Sequence, residues 1–197
     1  GPRVDTSKLN NLDAEELFRL ALRDSQTGRH DEAISKLKSC LLAESTNAKA
    51  QFLLGAEHAE IGLYDRAIEE IGHAIKLDNS LSIAHFQLGL LYFSANRLAE
   101  ARQSWAGLSG LADADYLLKF SSGLVALAEE RLPDCAELLS EGITLNTMNP
   151  ALNLDMDRVL GRVKAILAEK PEQQSPAAAA SAGNMFLGSY RDQSEEQ

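Results

Sequence analysis

A chain of 197 residues, 45% of them hydrophobic, has material for one domain, or one domain with a tail, around a continuous core. Its 29 acidic residues outnumber 19 basic ones, and the resulting charge of −10 argues against nucleic acid or an anionic membrane as partner. No apolar run approaches the roughly 18–20 residues that cross a bilayer, so no membrane insertion is expected.

Residues 1–13 form a short polar lead-in that opens GPRVDTS without a methionine. That start looks like a protease scar, which leaves open a native signal or anchor ahead of it. From Ala14 onward the chain repeats itself at a shift of 34, giving units 14–47, 48–81, 82–115 and 116–149. Numbered within a unit, position 7 reads Leu20, Leu54, Leu88 and Ser122, and position 8 reads Ala21, Gly55, Gly89 and Gly123. Position 20 reads Ala33, Ala67, Ala101 and Cys135, and position 24 reads Leu37, Ile71, Trp105 and Leu139. Position 15, where a turn is needed, reads Gly28, Gly62, Asn96 and Glu130.

This pattern predicts two amphipathic helices per unit. The first carries apolar or small residues at positions 4, 7, 8 and 11, the second at 20, 24 and 27. Small residues at 8 and 20 let the two backbones approach closely. Gly28 and Gly62 suit a helix end that needs a left-handed residue, and Asp31 and Asp65 are expected to cap the helices that follow. The fourth unit diverges most, through Ser122, Glu130 and Pro133. Residues 150–170 then predict a closing helix: Asn149 caps it, Pro150 takes its first position, and Leu152, Met156, Val159, Leu160, Val163, Ile166 and Leu167 make one stripe. Residues 171–197 read as a Pro-, Gln- and Ala-rich linker and a tail that joins an apolar cluster (Met185, Phe186, Leu187, Tyr190) to an acidic end.

The residues at positions 8, 15, 20 and 24, recurring through four units, resemble the tetratricopeptide repeat family over residues 14–149. Two departures stand out. Position 4 is Leu17, Gln51, His85 and Lys119 where the family favours tryptophan, and position 32 lacks proline. The resemblance implies an all-α fold, a right-handed superhelix of helix pairs (an α-solenoid) closed by residues 150–170 as a capping helix. It also implies that the remaining face of each first helix lines a concave groove for ligand. On that face position 5 is Phe18, Phe52, Phe86 and Phe120. Position 9 adds Leu22, Ala56, Leu90 and Leu124, and position 12 adds Phe93 and Leu127. Lys49 contributes one of the few charges there, and Gln87 stands at the neighbouring position 6. A peptide-binding groove for an apolar or amphipathic segment is therefore expected. The family's lysine-, arginine- and asparagine-rich clamp for C-terminal carboxylates is missing, since only Lys49 and Arg19 could serve in one.

Catalysis is not expected. His30, His58, His73 and His85 occupy repeat positions explained by packing, with no metal-ligand spacing. Cys40 and Cys135 sit at core positions and form no C-x-x-C pair, and no glycine loop cradles a phosphate. No metal or cofactor is implied, and the cytoplasm is the expected compartment. The partner is expected to be another protein or peptide segment, in an adaptor or scaffold. The tail could mediate self-association by entering the groove near Phe86, Phe93 and Phe120. Two other readings stay open: a substrate-holding chaperone similar to those of bacterial secretion systems, and a regulatory part of a larger enzyme.

Overall fold

The computed structural model describes residues 13–169, which form nine α-helices and no strand. They are α1 (Ala14–Gln26), α2 (His30–Ala43), α3 (Ala48–Glu60), α4 (Tyr64–Leu77), α5 (Ser82–Ser94), α6 (Leu98–Ala106), α7 (Asp115–Ala128), α8 (Leu132–Leu145) and α9 (Pro150–Ala168). The chain divides into two compact units with the boundary inside α5. Among the described residues, unit 1 runs to Ala84 and unit 2 starts at His85. No described helix is long and apolar enough to cross a membrane.

Each hairpin turns on one residue with positive φ: Gly28 at 77° and Gly62 at 88° in unit 1, Asn96 at 61° and Glu130 at 62° in unit 2. The next residue donates its N–H to the carbonyl five positions back. Arg29 bonds Asp24 at 2.8 Å, Leu63 bonds His58 at 2.8 Å, Arg97 bonds Tyr92 at 2.9 Å, and Arg131 bonds Ala126 at 2.8 Å. One helix-terminating bond therefore closes all four hairpins, whatever residue stands at the turn. It also corrects the capping expectation. α2 and α4 start at His30 and Tyr64, immediately after this bond, and no side chain caps either of them. Asp31 and Asp65 lie inside the first turn, where a carboxylate favours the helix dipole without capping.

Packing in each pair follows the small-against-large pattern. Ala21, Ala33, Ala67, Ala101 and Cys135 are fully buried. A side-chain carbon added at Gly55 would lie 2.7 Å from Ile71, and one at Gly123 would lie 2.8 Å from Leu139. At Gly89 it would overlap the indole of Trp105, whose Nε1 donates to the Phe86 carbonyl at 3.1 Å. In unit 2, α9 closes the array against α8. Its cap Asn149 accepts from the Leu152 N–H at 3.1 Å, and Leu152, Met156, Val159, Leu160, Val163 and Ile166 are buried.

Buried polar groups tie the helices of unit 1. Asp24, only 4% exposed, accepts from Lys36 of α2 and from Arg29 at 2.9 Å. His30 meets Glu57 of α3 at 2.5 Å, and His58 meets Glu70 of α4 at 2.8 Å. Chiefly the hydrogen bond from Lys36 holds the Asp24 carboxyl below its ordinary 3.8.

Two outcomes follow. Gly89→Ala, which forces a methyl into the Trp105 ring, is expected to cost about 1–3 kcal/mol in urea unfolding. The Asp24 interaction is present above the unfolded carboxyl value and is lost as pH falls through the lower folded one. The stability gap between wild type and Asp24→Asn should thus hold from about pH 7 to 5 and close below about pH 4; urea titrations at each pH measure it.

Candidate functional site

Helix α1 turns two faces in different directions. Ala14 and Ala21 point into the core of unit 1, while Glu15, Arg19 and Leu22 are exposed and Phe18 is half-buried. The exposed set recurs at intervals of three and four residues, one side of a helix. Beside it the α2–α3 connection is held by Asn47. Its side chain accepts from the Ala50 N–H at 3.0 Å, which caps α3, and donates to Glu44 at 3.3 Å and to the Cys40 sulfur at 3.7 Å. Lys49 stands in the first turn of α3 so fixed.

Together these elements border an open cavity of about 510 Å³. Its apolar surface comes from Phe18 and Leu22. Its charges are Asp13, Glu15 and Glu44 against Arg19 and Lys49, and Asn47 completes the lining. Leu22 is 38% exposed and offers its side chain to this cavity. Arg19 and Glu15 pair at 3.4 Å, with both side chains mostly in water, so the pair adds little stability and is free to rearrange around a ligand. Phe52 and Ala56, on the equivalent face of α3, are half-buried.

Of the residues that the sequence placed on or beside the groove face, Phe18, Leu22, Lys49, Glu15 and Arg19 line this cavity; Asp13, Glu44 and Asn47 were not among them. The signal was available for Asn47, a capping residue type directly before a helix-forming run.

In unit 2 the expected apolar strip is core. Phe86, Phe120 and Leu124 are fully buried, and Leu90 and Leu127 are 2% exposed. Phe86 stacks on Trp105 with ring centres 6.2 Å apart, and Phe120 lies against Phe86 at 6.3 Å and edge-on to Tyr116 at 6.0 Å. A second contact seats Phe120: a side-chain carbon at Gly142 of α8 would lie 2.5 Å from its ring. The size of Trp105 and the absence of a side chain at Gly142 draw these rings inward. Phe93, 6.0 Å from Trp105, and Gln87 are half-buried. The tail residues Met185, Phe186, Leu187 and Tyr190 lie outside the described residues.

Other chemistry-bearing groups are engaged in packing. Among the described residues no three His, Cys, Asp or Glu side chains gather as a metal site. Both cysteines are buried and unbridged; burial raises the Cys40 thiol and pushes that of Cys135 up to about 12. At that value Cys135 is not a nucleophile at neutral pH.

The family model for the tetratricopeptide repeat matches residues 48–81, the second unit of the register. The chain is also similar to two solved structures of MamA from Desulfovibrio magneticus RS-1. For the protein from residue 41 to its end the identity is 19%, covering 91% of this chain and 97% of that one, with a TM-score of 0.57. For an RS-1 ArsTM double mutant the identity is 20%, covering 93% and 98%, again with a TM-score of 0.57. Likeness at these identities shows the fold. No curated protein matches the chain.

The division between exposed and core phenylalanines has a direct readout. Phe86→Ala is expected to cost about 3–5 kcal/mol of stability. Phe18→Ala should cost well under half of that, since its ring is already partly in water. Chemical denaturation of the two variants side by side measures the contrast.

Proposed function

We propose that the chain, whose described residues form helix pairs of the tetratricopeptide-repeat kind, works as a protein-interaction module, an adaptor or scaffold that holds a short segment of a partner polypeptide. The binding place is the α1–α3 cavity of unit 1, and the observation that carries the reading is its composition. An exposed leucine and a half-buried phenylalanine lie under a rim of mobile charge, on a backbone fixed by Asn47. An apolar side chain entering there leaves water, while the three carboxylates outnumber the two cations around it. The segment that fits is amphipathic: one large apolar anchor, with a basic residue beside it to meet Glu15 or Glu44. The partner is another protein, or a segment of a second copy of this chain.

The test is retention of partner on immobilised protein from a lysate of the source cells. Leu22→Glu is expected to reduce retention about tenfold or more, the effect of losing one buried anchor of about 1.5–3 kcal/mol. The control is Leu42→Glu, a change at a leucine that is 89% exposed and lines no part of this cavity. It should retain partner as wild type does. Equal retention by a folded Leu22→Glu variant would move the site off this face.

A further inference from the structure

Unit 2 holds a second cavity, of about 440 Å³, between α6, α7 and α8. Its walls are Trp105, Leu118, Val125 and Leu138, and Ser122 opens onto it. Two sequence features make the space. Ser122, exposed, stands at the position that is leucine in the other three units, where Leu54 is buried, Leu88 half-buried and Leu20 exposed. Helix α6 also has 9 residues, whereas α2, α4 and α8 each have 14. At the rim, Arg102 and Arg131 both bond Glu129, at 2.7 and 3.2 Å, so their charges are largely answered and the interior is the apolar part. The groove is open to water, and an apolar side chain laid on its apolar walls would leave water.

Chain topology indicates where that side chain comes from. Helices α8 and α9 pack together across the short connection at 146–149, where Asn153 donates to the Ile143 carbonyl at 3.3 Å and to the Asn146 carbonyl at 3.1 Å. The two helices therefore run antiparallel. At 1.5 Å per residue the 19 residues of α9 span about 28 Å and the 14 of α8 about 21 Å. The chain thus leaves α9 at the end of α8 where Arg131 stands, and Arg131 lines this cavity. Between Lys170 and Asn184 the sequence carries no large apolar side chain; the first are Met185, Phe186 and Leu187, with Tyr190 three residues on. Seventeen residues from Glu169 to Phe186 reach at most about 55 Å, several helix diameters.

We propose that this cavity is the intramolecular docking site of the segment Met185–Tyr190, with the Phe186 and Tyr190 rings against Trp105 in the space left by Ser122. The site is separate from the partner site of unit 1. Tethering on the same chain gives an effective concentration of roughly 1 mM, so a segment that binds at only about 100 µM in trans is about nine-tenths bound in cis.

Trp105 is the one tryptophan in the chain and is 5% exposed, so its fluorescence reports the cavity directly. Acrylamide quenching is compared between the full chain and the full chain carrying Phe186→Ser with Tyr190→Ser. The quenching constant should rise about twofold as the cavity loses its nine-tenths occupancy. Adding a synthetic peptide of residues 183–197 to the variant should restore protection saturably. Ser122→Leu, which fills the space from within, should remove the effect of the tail substitutions. Quenching unchanged by the double substitution overturns the proposal. Protection lost on dilution of the wild type overturns the intramolecular assignment in favour of a second copy. Leu22→Glu leaves all these readings unchanged, so the outcome is independent of partner binding in unit 1.

Discussion

Each hairpin depends on a contact between a residue with almost no side chain on its first helix and a bulky one on its second. Gly55, Gly89 and Gly123 meet Ile71, Trp105 and Leu139, and in the first hairpin Ala21 and Leu37 are buried in one core cluster. The volume missing from the first helix is supplied by the second, so the backbones come close without a void. Wherever the large partner is largest, the small one is obliged to be glycine, as Gly89 is against Trp105. The turn geometry is subordinate to this contact. Glycine, asparagine and glutamate all adopt the same left-handed conformation, although it is unfavourable for a glutamate, because the packed helices on either side demand it.

The two units solve the remaining packing differently. In unit 1 the seams between helices carry hydrogen-bonded histidine–glutamate pairs, His30 with Glu57 and His58 with Glu70, with Arg66 also on Glu70 at 3.0 Å. Glu57 and His58 are adjacent in sequence and reach to opposite neighbours, so α3 is tied to α2 and α4 by bonds with strict geometry. Such pairs are modest sources of net stability but penalise any slip in register, which would leave a buried polar group without its hydrogen bond. In unit 2 the seams are aromatic, built on Phe86, Trp105 and Phe120. The contrast bears on function. Unit 1 has aliphatic Leu37 and Ile71 at the repeat position where Trp105 stands in unit 2, and the phenylalanines of unit 1 keep a share of their surface in water.

The period and the helix pairs were legible because they rest on local rules: spacing, small residues and turn chemistry. The capping role given to Asp31 and Asp65 failed because a single backbone bond ends one helix and starts the next within two residues, which leaves no extended residue to act as cap. The candidate site was legible only in part. A phenylalanine at the same repeat position can line a surface or fill a core, and its own helix does not decide which. The volume at other positions decides it, Trp105 on α6 and Gly142 on α8 for the pair in unit 2. Both were visible in the sequence, but their effect is a three-dimensional sum. Phe18 and Leu22 share one side of α1, which follows from periodicity alone, and both line the cavity.

Each unit also contains one fully buried, unbridged thiol, Cys40 in unit 1 and Cys135 in unit 2. Cys40 donates to the Ala14 carbonyl at 3.3 Å, and Cys135 sits where α8 closes against α7. Neither sulfur reacts while its helices are packed, so covalent labelling of either one requires that unit to open first. The protein therefore carries a pair of internal clocks, and the ratio of their labelling rates under mild denaturant gives the relative breathing rates of its two halves without any engineered probe.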